Sequence, residues 1–228
     1  MNPRITVIIP AFNEASSIGK VIKDIPQKVS EVIVVDNGST DKTSEIAQQA
    51  GATVCYEPRK GYGYACLKGL EKCGENPPNI VVFLDGDYSD YPEQLTEIVA
   101  PIIQNKVDFV IGARVSRLRE KGAMTFPQIF GNALATTLMK LFFGAKFTDL
   151  GPFRAIRYDK LLALNMSDKT YGWTVEMQLK VLKQKVKYLE IPVKYRNRIG
   201  VSKVSGTIKG AIFAGVKILY WIFKYTLR

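Results

Sequence analysis

The sequence predicts an α/β fold with a mostly parallel central sheet flanked by helices, and two observations support it. Short apolar runs alternate with amphipathic segments through the first half of the chain, and each run ends in polar, turn-forming residues. Strands that alternate with helices specify parallel pairing through crossover connections. The 228 residues contain no repeat, low-complexity tract or linker, so we expect one domain with an appendage.

The first half supplies five strands and four helices. Apolar runs of four or five residues bounded by turn residues are typical of buried strands. The predicted strands are 5–9, 31–35, 53–56, 80–84 and 108–112. The predicted helices are 15–25, 41–50, 63–73 and 92–104. Asn13 is the expected cap of the first helix, and Ser39 or Thr40 that of the second.

The second half has longer apolar helices and fewer strands. Its predicted elements are a helix at 127–143, a strand at 153–157, a helix at 173–184, a strand at 186–193 and a helix at 206–227. We therefore place one domain at 1–205, including the helical region at about 127–143, and a separate C-terminal apolar helix at 206–228.

The composition excludes several classes of site. The chain contains no histidine, which excludes Ser-His-Asp triads, Cys-His dyads and histidine metal sites. The cysteines Cys55, Cys66 and Cys73 are odd in number and match no zinc spacing, so we expect reduced thiols in a cytosolic protein. The first ten residues lead straight into a strand without a signal-peptide pattern.

Charge is unevenly distributed along the chain. Residues 1–113 hold 10 Lys+Arg and 15 Asp+Glu, whereas residues 114–228 hold 22 and 6. A basic half indicates an anionic partner, which is phosphate, nucleic acid or an acidic membrane surface. A solvated basic face without a partner is the alternative.

Two carboxylates follow the predicted strand at 80–84. Asp85 and Asp87 lie two positions apart, so in an extended chain their side chains point the same way. Close carboxylates repel each other unless a cation or a proton lies between them. Mg²⁺ or Mn²⁺ shared with a diphosphate is the partner this arrangement favours. The alternative is a solvated turn with capping aspartates.

Polar loops also follow the first three predicted strands, at 10–14, 36–41 and 59–63. The carboxyl ends of parallel strands meet at one edge of a sheet, where ligands bind in open α/β folds. Together these loops are suited to bind a base, a ribose and a diphosphate.

The motifs, in this order, resemble those of the family 2 glycosyltransferases, whose fold is GT-A. They are VIIPAFNE at 7–14, VVDNGSTD at 34–41, DGD at 85–87, DLGPFRA at 149–155 and GVSK at 200–203. The pattern is similar to the dolichyl-phosphate mannose synthase branch. This resemblance implies metal-dependent, inverting transfer of a hexose from a UDP- or GDP-sugar to a polyprenyl or dolichyl phosphate.

The resemblance also implies roles for individual residues. Asp36 would hydrogen-bond the base, Asp85 and Asp87 would hold Mg²⁺ or Mn²⁺, and Arg114 would meet a phosphate of the donor or the acceptor. The loop at 200–203 would close over the diphosphate. The implied nucleotide-binding set is Pro10, Ala11, Asn13, Glu14, Asp36, Asn37, Lys60, Gly61, Asp85, Gly86, Arg114 and Ser202. The implied catalytic set is Asp87, Lys203, Arg198 and Glu176.

Three positions depart from the family pattern. Asn37 stands where a second aspartate is usual, and Ser89 stands where relatives often place a glutamine. Asn197 occupies a position usually held by arginine, and Arg196 or Arg198 is expected to substitute for it.

The acceptor decides whether a base is required. A phosphate monoester is already ionised near neutral pH, so no base is needed, in agreement with a chain without histidine. A soluble hydroxyl acceptor is the alternative, and Glu176 is then the candidate base. The other interpretation of Glu176 is a charge favoured by a helix N-terminus.

Two helices bear on membrane contact. The stretch at 128–143 is shorter than the ~20 residues needed to span a bilayer, so we expect a helix that lies at the membrane surface. We expect Arg117, Arg119 or Lys121, which precede this helix, to bind the phosphate of the acceptor. In the last helix, Lys209, Lys217 and Lys224 fall on one stripe. We expect this helix to lie in the membrane plane, with lipid contacts from Ile212, Phe213, Trp221 and Phe223. The alternatives are packing on the domain, packing on a second subunit of a homo-oligomer, or spanning.

Two further interpretations remain open. A nucleotidyltransferase would need a basic glycine-rich loop after the first strand, which 10–14 is not. A basic binding protein without catalysis explains the charge but not the carboxylates at the strand ends. We therefore expect no nucleic-acid partner and a peripheral enzyme on the cytosolic face of a membrane.

Overall fold

A seven-stranded mixed sheet forms the centre of the computed structural model, which describes residues 3–201 and 208–226. The strands are β1 Ile5–Ala11, β2 Glu31–Asp36, β3 Thr53–Tyr56, β4 Ile80–Phe83, β5 Phe109–Ala113, β6 Arg154–Arg157 and β7 Tyr188–Pro192. The helices are α1 Ile18–Asp24, α2 Thr43–Gln49, α3 Tyr62–Cys73, α4 Leu95–Ile103, α5 Phe126–Phe143, α6 Tyr158–Leu164, α7 Trp173–Lys183 and α8 Ile208–Thr226. Short 3-10 turns lie at Pro92–Gln94 and Ser116–Leu118.

The strand order is β3-β2-β1-β4-β6-β5-β7. β1 pairs in parallel with β2 and β4, and β2 pairs in parallel with β3. β6 runs antiparallel between β4 and β5, and β5 pairs in parallel with β7. The prediction of a mostly parallel sheet is confirmed, with β6 as the exception. The carboxyl ends of β1, β2 and β4 therefore share one edge.

Alternating side chains of the strands build a core on both faces of the sheet. Ile8 and Phe83 face α3 and α7, and the Phe83 ring meets the edge of Trp173 at a centroid distance of 5.8 Å. Val7 and Ile9 face the other way, toward α1 and α4. Central strands that are covered on both faces consist of continuous apolar residues, so they could be predicted from the sequence.

Two helices begin later than predicted, and the polar residues before them have another role. Asn13 has a φ of 55° and lies outside α1, and α2 begins at Thr43 after Lys42. The Asn13 side-chain oxygen accepts the Thr40 N–H at 2.8 Å, and Ser39 Oγ accepts the Asn13 N–H at 3.0 Å. The predicted caps were therefore wrong, because these residues join the loops after β1 and β2.

The long helices α5 and α8 pack against each other, and α8 also packs on α7. α5 begins with a capping box at Thr125 and Gln128 and ends at Gly144 in the left-handed conformation. Within residues 3–201 and 208–226, no helix combines the length and the hydropathy needed to cross a bilayer.

One face of α8 is turned toward the domain. Trp221 is 4% exposed, and the Lys217 amine lies 3.2 Å from an Asp168 carboxylate oxygen. The expectations that Trp221 enters lipid and that Lys217 belongs to a headgroup stripe are therefore wrong. Phe213 and Phe223 are exposed, and their contact with lipid stays a prediction. The side chains of Lys209 and Ile212 lie outside the described residues.

Candidate active site

A cavity of about 290 Å³ opens at the sheet edge where β1, β2 and β4 end. It is lined by Pro10, Ala11, Phe12, Glu14, Asn37, Lys60, Gly61, Tyr62, Ala65, Asp85, Gly86, Asp87, Tyr171 and Arg198. The structure thus brings together most of the residues that the sequence indicated for donor binding. Their roles remain predictions.

Asp85 and Asp87 lie on one wall of this cavity. The Tyr62 hydroxyl donates to Asp85 at 3.2 Å, and the Ser89 N–H and hydroxyl donate to Asp87 at 2.9 and 2.6 Å. Burial, followed by the charge of Asp87, raises the pKa of Asp85 to about 7. Asp90 lies 1% exposed, and burial and these two carboxylates raise its pKa as well.

The carboxylate pair fits a divalent cation. Burial and, second, the charge of Asp87 disfavour the ionised form of Asp85, so a proton or a metal ion that supplies positive charge is favoured there. Among the residues that the structure describes, no three acidic or thiol groups form a complete metal cage. Mg²⁺ in particular is commonly bound by one or two carboxylates together with substrate phosphates. Asp85 and Asp87 would therefore hold such an ion jointly with a diphosphate.

Arg198 connects two acidic residues at the cavity. Its guanidinium lies 3.0 Å from an Asp87 oxygen and 3.2 Å from a Glu14 oxygen. The Ile199 N–H also donates to the Asp87 carbonyl at 2.9 Å. Arg196 does not reach the cavity, because its guanidinium stacks on the Tyr88 ring at 3.3 Å. Of the two arginines that flank Asn197, the structure thus places Arg198 beside the carboxylates.

Asn37 shapes the floor of the cavity through its amide. Its nitrogen donates to the carbonyls of Glu57 and Arg59 at 2.9 and 2.7 Å, and its oxygen accepts the Gly61 N–H at 2.8 Å. An aspartate at this position could not donate the two hydrogen bonds to the Glu57 and Arg59 carbonyls, because a carboxylate has no N–H group. This explains why asparagine stands where the family usually has aspartate. Lys60, in the same loop, lies 4.4 Å from the centroid of the Phe12 ring.

Several predicted residues do not line the cavity. Asp36 accepts the Ser39 N–H at 2.7 Å and the Ser44 hydroxyl, so both of its oxygens brace the loop after β2. Asn13 braces the same loop. Ser202 and Lys203 lie outside the described residues.

Glu176, the candidate base, is also absent from the cavity wall. It is fully buried, accepts the N–H groups of Ser167 and Asp168, and pairs with Lys180 at 2.7 Å. Its carboxylate is thus used within the domain, next to the loop that precedes α7.

Arg114 lines a second cavity, of about 550 Å³, between β5 and α5. Its guanidinium pairs with Asp149 through bonds of 2.7 and 2.8 Å. Arg119 and Lys140 also line this cavity, and neither forms an ion pair within residues 3–201 and 208–226.

Four cavity residues were not in the predicted nucleotide-binding set: Phe12, Tyr62, Ala65 and Tyr171. Phe12 and Tyr62 do lie in the predicted binding loops at 10–14 and 59–63. Phe12 lies inside the first motif, so its position was a usable signal. Tyr171 comes from the second half of the chain and belongs to no motif, so only the tertiary structure reveals it.

Comparisons with known proteins identify the family of this chain. The sequence profile described as Glycosyl transferase family 2 matches residues 6–164. An uncharacterized glycosyltransferase of Mycobacterium tuberculosis is 32% identical over 92% of this chain and 94% of its own. A dolichyl-phosphate hexose transferase of Haloferax volcanii is 30% identical over 91% of this chain and 89% of its own.

The solved structures include glucosyl-3-phosphoglycerate synthase from Mycobacterium tuberculosis, in a complex with Mn²⁺, UDP and phosphoglyceric acid. It superposes with a TM-score of 0.77 at 21% identity, over 98% of this chain and 78% of its own. This likeness establishes the shared GT-A fold. The chain belongs to glycosyl transferase family 2, as its motifs indicated, and it is a glycosyltransferase.

Proposed function

We propose that this enzyme transfers a hexose from a UDP- or GDP-sugar to a polyprenyl or dolichyl phosphate, with Mg²⁺ or Mn²⁺. The observation that carries the proposal is the pair Asp85 and Asp87 beside Arg198 in the cavity at the sheet edge. The Haloferax relative, by its name, uses a dolichyl phosphate, and the structural neighbour holds Mn²⁺ and UDP.

The donor end of the mechanism follows from charge. Negative charge grows on the diphosphate as the sugar leaves through an oxocarbenium-like transition state. A divalent cation held by Asp85 and Asp87 would supply Lewis-acid stabilisation of that leaving group. The guanidinium of Arg198, 3.0 Å from Asp87, adds fixed positive charge in the same place. Inversion requires the acceptor to attack the anomeric carbon of the sugar from the face opposite the leaving diphosphate.

The second cavity is the proposed acceptor site. Arg119 and Lys140 offer positive charge to a phosphate there, and Arg114 lies beside them in its pair with Asp149. A phosphate acceptor needs no base. The buried pair of Glu176 with Lys180 favours this acceptor over a soluble hydroxyl, for which Glu176 was the candidate base.

Exposed apolar side chains of α5 and α8 support membrane contact. The rings of Phe142 and Phe223 lie 6.1 Å apart, so the exposed faces of the two helices join into one patch. We name this patch the α5/α8 face, and its members are Phe126, Ile129, Phe130, Leu134, Leu141, Phe142, Phe213, Val216, Tyr220 and Phe223. Contiguous exposed apolar surface is typical of membrane or protein contacts. With the basic second half, it favours peripheral attachment to an anionic membrane on the cytosolic side.

The test begins with thermal-shift measurements on a panel of nucleotide sugars with Mn²⁺. The best ligand then enters transfer assays with a short polyprenyl phosphate, comparing Asp87→Asn with Asp159→Asn, a matched exposed carboxylate on α6. We expect activity in wild type and Asp159→Asn and its loss in Asp87→Asn. Equal activity in all three proteins would contradict the assignment of the site.

The membrane part is tested separately with anionic vesicles. Co-sedimentation of the enzyme with the vesicles supports the proposed attachment. A stable dimer in solution that ignores vesicles would instead assign the α5/α8 face to a second copy of the chain.

A further inference from the structure

The loop at residues 167–172 lies between α8 and the donor cavity and contacts both. It follows α6 and leads into α7. Its member Tyr171 lines the donor cavity. The loop therefore offers a physical connection between the C-terminal helix and the place where the donor would bind.

On the α8 side, the connection runs through the carboxylate of Asp168. One oxygen accepts the indole N–H of Trp221 at 2.6 Å and lies 3.2 Å from the amine of Lys217. The other oxygen accepts the N–H groups of Thr170 and Gly172 at 2.7 and 3.0 Å. Asp168 is 2% exposed, and hydrogen bonds to a buried charged acceptor are stronger than neutral ones. A single buried carboxylate thus holds α8 and the loop together.

On the cavity side, the same loop contacts the first turn of α3. The carbonyls of Lys169 and Thr170 accept the N–H groups of Tyr64 and Gly63 at 3.1 and 3.2 Å. A Cβ atom at Gly63 would lie 2.1 Å from the Asp168 carbonyl oxygen, so only glycine permits this approach. Gly61, at the start of this turn, is itself a cavity residue. The loop therefore sets the position of both Tyr171 and the α3 end of the cavity.

We propose that α8 is a positioning element of the donor cavity, and that Trp221, Lys217 and Asp168 are its positioning residues. They touch neither the cavity nor the two metal-binding carboxylates. They hold the 167–172 loop against α3, and through it they fix Tyr171 and Gly61. The proposal rests on the proposed function, since it takes the cavity as the nucleotide-sugar site. It adds that the helix carrying part of the α5/α8 face also determines how well the donor is held.

Two variants loosen the connection, and a third serves as the matched control. Trp221→Phe removes the indole N–H but keeps an aromatic ring, and Lys217→Gln removes the charge facing Asp168. Thr226→Val removes from the same helix a hydroxyl that donates to the Ile222 carbonyl within α8. Amide hydrogen exchange and steady-state kinetics are measured on the full chain of each variant.

We expect faster exchange in Trp221→Phe and Lys217→Gln at the amides of Thr170, Gly172, Gly63 and Tyr64, with Thr226→Val like wild type. We expect the KM for the sugar nucleotide to rise about tenfold, which corresponds to about 1.4 kcal/mol, with kcat changed less than about twofold. A merely structural role would lower the active fraction, and thus kcat, without this change in KM.

Unchanged exchange at the loop and at α3 would overturn the proposal, as would faster exchange with an unchanged KM. The exchange measurement needs no substrate, so it decides the coupling on its own. If the wild type turned over no nucleotide sugar, the proposed function would fail, while exchange would still show whether α8 holds the loop.

Discussion

Replacement of Asp85 by asparagine should make the stability of the metal-free protein less dependent on pH. The carboxylate lies beside Asp87 in the cavity wall, and burial and that neighbouring charge raise its pKa from 3.8 to about 7. A group whose pKa is raised by folding favours the folded state while it is protonated. The contribution of Asp85 to the free energy of unfolding is therefore complete below about pH 4, near its pKa in the unfolded chain. This contribution is lost as the pH rises through about 7, its pKa in the folded protein.

The size of the effect follows from the shift. A displacement of about three pKa units is worth about 4 kcal/mol at 1.36 kcal/mol per unit, and this is an upper bound. The carboxylate borders an open cavity, where solvent screens part of the charge, so we expect about 2 kcal/mol. Relative to wild type, Asp85→Asn should therefore gain about 2 kcal/mol of unfolding free energy between pH 4.5 and pH 8.

Urea denaturation in EDTA at pH 4.5 and pH 8, for both proteins, measures this difference. Saturating Mn²⁺ should reverse the result at pH 8, because the ion compensates the paired charges of the wild type but binds an asparagine weakly. A constant difference between the two proteins across this pH range in EDTA would refute the assignment of a poorly compensated charge at Asp85.

Three further outcomes are expected. Asp87→Asn should reduce transfer at least about hundredfold while the melting temperature changes little, as measured by sugar-transfer assay and thermal unfolding. Glu176→Gln should lower the free energy of unfolding in urea by about 3 kcal/mol, since it leaves Lys180 without its buried partner, yet keep transfer to polyprenyl phosphate. Phe130→Glu should weaken vesicle binding about tenfold or more in a sedimentation assay, because an exposed ring of the α5/α8 face becomes charged. Tyr56→Glu, which changes an exposed ring outside that face, should leave vesicle binding unchanged.

Much of the fold could be predicted because its central strands are buried on both faces. Continuous apolar runs such as 5–9 and 80–84 are visible without any tertiary information. The position of β6 was not predictable, because the pairing of Val82 with Ala155 joins residues far apart in sequence. The short helix α6 has only seven residues, too few for a clear helical period.

The sequence predicted which loops form the candidate site, but not which residue of each loop faces the cavity. Asp36 and Asn37 are neighbours at the end of β2, and successive side chains there point in different directions. The sequence alone could not decide which one faces the cavity. The face of α8 was misassigned for a similar reason, since the buried carboxylate that holds Trp221 and Lys217 lies about fifty residues earlier in the chain.

Hydrogen-bond capacity separates the polar residues of this site into two kinds. Asp36 and Glu176 have both carboxylate oxygens engaged by the protein, so they hold loops in place. Asp85 receives one bond from Tyr62, and burial, followed by the charge of Asp87, raises its pKa, so its ionised form is poorly compensated. A ligand that brings positive charge gains most where compensation is poorest. For this reason Asp85 is where a cation should bind, beside Asp87, whose oxygens already accept bonds from Ser89 and pair with Arg198. Replacing the loop-holding carboxylates should change stability first.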